Sequence, residues 1–156
     1  GTVGSEEKAK LAKAHGCTHV INYNKENFVE RVKEITEGKG VPVVYDSIGN
    51  DTFIGSLDCL SPLGTLVSFG SASGPVPPFS LNELASRGSL FVTRPSLFHY
   101  AAKREDLDAM AAELFEMVGS GKVKIEINQR YALKDAQQAH IDLESRKTTG
   151  STILLP

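Results

Sequence analysis

Two short apolar runs, in Val41-Pro-Val-Val-Tyr-Asp-Ser-Ile-Gly49 and Leu63-Gly-Thr-Leu-Val-Ser-Phe-Gly70, each stop at a polar residue and a glycine. One helix-length segment separates them. Apolar on both faces and closed by a turn, they read as buried parallel strands whose carboxyl ends collect ligands. Upstream, Ser5-Glu-Glu opens a helix with a capping hydroxyl and two acids against the positive end of the dipole. That helix runs through Ala9, Leu11 and Ala12 to a left-handed stop at Gly16. Val20-Ile21 reads as a short strand, and Phe28, Val32 and Ile35 recur at helical spacing up to Gly38.

The strand at 41–45 leads to a helix whose inner face is Phe53, Leu57 and Leu60, then to a strand at 65–69. Residues 71–80, rich in Ser, Gly and Pro, form a loop long enough to be functional. A short helix over 81–86 precedes a strand at 89–93, and a loop over 94–100 follows. The next helix carries Leu107, Met110, Leu114, Met117 and Val118 on one face. After Gly121 the pattern changes: 123–127 alternates as a half-exposed strand does, 133–144 is amphipathic, and 153–155 ends the chain as a strand. The reading is α/β, a doubly wound parallel sheet over residues 1–121 with a small C-terminal α+β segment at 122–156. The latter is too small for a core of its own.

The 156 residues bound this to about one domain, and a net charge of −2 with both signs interspersed gives no nucleic-acid footprint. No apolar run is long enough to span a bilayer, so no membrane partner is expected. Cys17 and Cys59 stand apart, without ligand spacing, which argues for reduced thiols in a cytoplasmic protein and against a metal site. No strand followed by Gly-x-Gly-x-x-Gly occurs, so the pyrophosphate-cradling half of a dinucleotide site is not in this sequence. Gly1-Thr-Val-Gly4 reads as the end of an element, and the chain as a fragment.

With these segments in hand, the chain resembles the medium-chain dehydrogenase/reductase superfamily, and within it the zinc-free quinone oxidoreductases related to zeta-crystallin. The likeness is carried by Gly1–Ser5, Val20–Tyr23, Val43–Ser47, Leu63–Ser71, Thr93–Ser96, Leu133–His140 and Leu143–Arg146, in the family's order along almost the whole chain. It implies an NADPH-dependent enzyme that passes hydride to a quinone or enone. It also implies that the first nucleotide-binding strand and its glycine loop precede Gly1, and that residues after Gly121 are a return segment of the catalytic domain.

The candidate site residues follow. NAD-binding folds place an acid at the end of the second strand, on the ribose 2′-hydroxyl. Here Gly4 and Ser5 leave room for a 2′-phosphate, with Lys8 one turn on to neutralise it and a helix N-terminus adding its pull. A capped helix with solvated lysines explains the same residues without a ligand. Tyr23 after its strand could flank the adenosine phosphate, or simply cover a sheet edge. Ser47 and Ile48 close the central strand, where adenine or ribose would lie, and Phe69, Gly70 and Ser71 close the next. The resemblance puts the nicotinamide near that second turn. It also offers backbone groups of Pro95 and Ser96 to the nicotinamide amide, in preference to the Arg94 charge, and brings Arg146 back to the cofactor. Asp46 reads as a turn cap rather than a base, and no residue need act as acid, base or nucleophile. The family pairs the 89–93 edge strand with its twin, so a homodimer is expected. A dimerising nucleotide-binding piece without catalysis, and a site for another adenylate, both stay open.

Overall fold

The computed structural model describes residues 1–156. It divides into two compact units, Gly1–His99 and Tyr100–Pro156. The long helix after Tyr100 therefore groups with the tail, whereas the sequence pattern puts a boundary after Gly121.

In the first unit, strand β1 (Thr2–Val3) leads into helix α1 (Glu6–Ala14), then β2 (Ile21–Asn22) and α2 (Phe28–Ile35). There follow β3 (Val41–Asp46), α3 (Phe53–Asp58), β4 (Leu60–Ser68), α4 (Asn82–Ser86), β5 (Phe91–Thr93) and α5 (Leu97–Tyr100). All strand pairs are parallel, in a two-stranded sheet β1-β2 and a three-stranded sheet β3-β4-β5. This is a Rossmann-like α/β fold. Its core packs Phe53 and Leu57 of α3 against Leu60 and Leu66 of β4 and Leu90 before β5. The Phe79 ring packs tilted against Phe53 at 4.7 Å between ring centroids, and Val76 joins the same core, so the Ser/Gly/Pro loop is anchored from its far end.

Several boundaries differ from the sequence expectation. Leu60 belongs to β4, not to the face of α3, though it still points into the core. The strand starts early because Leu63, at φ 62°, absorbs a register shift: Val41 pairs Leu60, then Val43 pairs Thr65. The 89–93 strand shortens to Phe91–Thr93 because Ser89 takes a left-handed φ of 59°. Within the expected loop at 94–100, residues Leu97–Tyr100 form a single helical turn.

The second unit has helix α6 (Arg104–Gly119), β6 (Ile127–Ala132), a 3-10 turn (Leu133–Asp135), α7 (Ala136–Glu144) and β7 (Ser151–Leu155). β6 and β7 pair parallel around α7. The strand expected at 123–127 begins only at Ile127. The Val123 N–H is drawn back to the Met117 carbonyl, closing α6, and β7 offers its first partner, Ser151, opposite Ile127. The sheltered positions of β6 are polar: Gln129 accepts from the Thr152 hydroxyl at 3.1 Å, and the Tyr131 hydroxyl donates to Asp142 at 2.8 Å.

Candidate nucleotide site at the strand ends

Parallel pairing brings the carboxyl ends of neighbouring strands to one edge of each sheet, so each turn there meets the next. At the end of β1, Ser5 caps α1: its Oγ accepts from the Lys8 N–H at 3.2 Å. The β1–β2 register sets Tyr23 beside this turn, with its N–H donating to the Val3 carbonyl at 3.1 Å. A Cβ at Gly4 would sit 2.5 Å from the Tyr23 hydroxyl, so a larger residue there would have to displace the end of the tyrosine side chain. Asn24 Nδ2 donates to the Gly4 carbonyl at 2.7 Å and pins the turn from the other side. Gly4, Ser5, Tyr23 and the backbone N–H of Lys8 thus meet at one turn.

The two acids of the first turn are both engaged. Glu6 lies 2.8 Å from Lys25 Nζ and accepts from Asn22 Nδ2 at 2.9 Å, and these partners, Lys25 first, lower its pKa. The Glu7 carboxyl is lowered by its own backbone N–H and then by the Ser5 hydroxyl.

A second cluster joins the ends of β3 and β4. The Ala72 N–H donates to Ser47 O at 3.1 Å, and both the N–H and the hydroxyl of Ser73 donate to Ile48 O, at 2.8 and 2.9 Å. A Cβ at Gly70 would lie 2.7 Å from Ser47 Cα, which makes the two turns face each other at backbone distance. Beneath them, Asp46 is 5 % exposed. It accepts from the N–H groups of Ile48 (2.8 Å) and Gly49 (3.1 Å) and the hydroxyls of Thr52 and Ser56 (2.8 Å each). Desolvation acts to raise its pKa, but these donors outweigh it and leave the carboxyl below its ordinary value. Asp46 is a turn organiser.

At the end of β5, Arg94 takes the specific contacts. Its guanidinium donates to Ser68 O at 2.8 Å and Ser71 Oγ at 3.3 Å, tying the Pro95-Ser96 turn to the Phe69-Gly70-Ser71 turn. Pro95 and Ser96 are half-buried behind it. Sequence reading set the Arg94 charge aside in favour of the backbone groups of Pro95 and Ser96, and its partners Ser68 and Ser71 lie at a different strand end. Lys25, Asn24 and Ser73 were missed for a related reason: their partners are long-range. Arg146 lies in the second unit, just past α7, at φ 59°.

No group of three His, Cys, Asp or Glu side chains comes together to hold a metal ion. Cys17 donates to the His19 carbonyl at 3.2 Å, and burial pushes the Cys59 thiol up to about 11, which keeps it protonated and a poor ligand. No helix is long and apolar enough to cross a membrane.

Residues 15–154 match the family model described as zinc-binding dehydrogenase. The residues present do not fit a zinc centre of their own. The quinone oxidoreductase of Pseudomonas aeruginosa is 56% identical over 156 residues, covering 100% of this chain and 48% of that protein. A 2-haloacrylate reductase from Burkholderia is 48% identical over 157 residues, covering 100% of this chain and 47% of that protein. Among solved structures, Escherichia coli quinone oxidoreductase complexed with NADPH superposes with a TM-score of 0.96 at 52% identity, over 100% of this chain and 48% of that one. The chain spans about half the length of the relatives it matches.

Proposed function

The chain belongs to the zinc-binding dehydrogenase family of the medium-chain dehydrogenase/reductase superfamily, and from that premise we propose that it is the NADPH-holding part of a zinc-free, cytoplasmic quinone oxidoreductase. One observation carries the reading. Gly4, Ser5, Tyr23 and the backbone N–H of Lys8 meet at a helix N-terminus where NAD-binding folds keep an acid, in a chain 52% identical to a protein solved with NADPH.

NADPH, when bound, supplies hydride from nicotinamide C4 to a quinone or enone, and the relative named 2-haloacrylate reductase supports an activated alkene as acceptor beside a quinone. The chain's residues bind and orient. The Lys8 ammonium and the α1 N-terminus neutralise the 2′-phosphate, Tyr23 flanks it, and Gly4 keeps the approach open. Ser47 and Ile48 line the adenosine side. Phe69, Gly70 and Ser71, clamped by Arg94 to Pro95 and Ser96, define the nicotinamide side. No side chain here is assigned a proton transfer, and the catalytic domain beyond residues 122–156 supplies the acceptor pocket.

The separation of β1-β2 from β3-β4-β5 fits a sheet that takes another parallel strand between them. That same separation favours a second reading, a nucleotide-binding piece that dimerises without catalysis. In both, β5, the free edge of its sheet with Phe91 exposed, pairs with its twin in a homodimer. Light scattering at high concentration should give twice the chain mass, and a monomer refutes the pairing. Calorimetric titration with NADPH and NADH tests the site. Preference for NADPH, reversed by Lys8→Glu, is expected, and equal or absent binding of both overturns the assignment.

A further inference from the structure

A carboxylate on the first turn of α1 opposes a phosphate at the Gly4-Ser5 turn and offers an acceptor to a 2′-hydroxyl instead. Glu6 occupies that place, directly after the cap. Yet its charge is drawn toward β2: Lys25 Nζ stands 2.8 Å away and Asn22 Nδ2 donates at 2.9 Å. Asn22 is fixed for this task. It is buried, its N–H donates to Glu26 at 3.2 Å, and its Oδ1 accepts from the Asn24 N–H at 3.2 Å. The amide is left one orientation, with Nδ2 toward Glu6. Asn24 in turn donates to Gly4, so the same strand end that holds Glu6 aside also shapes the turn. Both partners of the Glu6–Lys25 pair are more than half exposed, so the pair contributes little to stability. Its geometry has another use.

We propose that Lys25 is a specificity-determining residue: by pairing with Glu6 it withdraws a carboxylate from the Gly4-Ser5 turn and thereby sets the preference for a 2′-phosphorylated over a 2′-hydroxyl nicotinamide dinucleotide. The inference rests on the assignment of Gly4, Ser5 and Lys8 to the 2′-phosphate. Without Lys25 the Glu6 carboxylate, then held by Asn22 Nδ2 alone, can turn back across the cap and join Glu7, which already meets the Ser5 hydroxyl, adding repulsion on the phosphate and an acceptor for the 2′-hydroxyl. Lys25 acts through Glu6, not on the ligand.

The test is a titration of wild type, Lys25→Met, Glu6→Gln and the double variant with NADPH and NADH, alongside thermal midpoints. Lys25→Met should lower the NADPH-to-NADH ratio of association constants roughly five- to tenfold, as a freed charge a few ångströms from a phosphate dianion requires. The double variant should return the ratio to the wild-type value, with midpoints unchanged throughout. Failure of Glu6→Gln to rescue would mean that Lys25 touches the phosphate itself, and overturns the proposal. An unchanged ratio in Lys25→Met, with wild type preferring NADPH, overturns it while leaving the cofactor site standing. Wild type without preference removes the site and the inference together.

Discussion

At Asp46 a buried carboxylate accepts from two backbone N–H groups and two hydroxyls, and the Ser47-Ile48-Gly49 turn takes its shape from them. Asp46→Ala should cost about 2–3 kcal/mol in urea unfolding, because those donors are left without a partner. Its pKa is lower folded than unfolded, so the carboxylate's stabilisation is complete above the ordinary value of 3.8 and fades as pH falls through the folded value. Asp46→Asn should therefore flatten the acid limb of a stability–pH curve while leaving a smaller deficit at neutral pH. Ser5 and Asp46 were legible from residue type and position alone, since capping is a local rule. Arg94 and Lys25 were not. Each finds its partner through a crossover, and nothing in a linear sequence reports that distance.

Helices were easier to read than strand ends. Phe28, Val32 and Ile35 mark α2, and Asn27 caps it by accepting from the N–H groups of Val29 and Glu30 at 2.9 and 3.3 Å. Asn27→Ala should destabilise by about 1 kcal/mol, measured as a shift in urea midpoint. Strand boundaries depend on the partner strand, so the early start of β4 at Leu60 and the late start of β6 at Ile127 lay outside any local pattern. The alternation at 123–127 misled because a helix C-terminus claims that backbone first. Turn contacts between elements set the other constraint: Gly70→Ala places a methyl against Ser47 backbone, which has no flexible end to yield. A loss of about 1–3 kcal/mol, together with weakened nucleotide binding, is expected on titration and unfolding.

Across the molecule, the parallel α/β class followed from alternating elements, whereas the division into two sheets and the compact unit starting at Tyr100 did not. The two sheets are unequal. The three-stranded one has a packed core of Phe53, Leu57, Leu60, Leu66 and Leu90, while β1 and β2 share only the pairs Thr2–Ile21 and Val3–Asn22, and neither α1 nor α2 has a buried residue. A ladder that short, with little apolar burial behind it, opens at low free-energy cost. Amide protons of residues 1–24 should exchange with deuterium well before those of Val44 and Leu66. On this footing the end of the site proposed to distinguish a phosphate from a hydroxyl is also its most compliant part. A ligand seated there would then be felt as a local slowing of isotope exchange rather than as a change of shape.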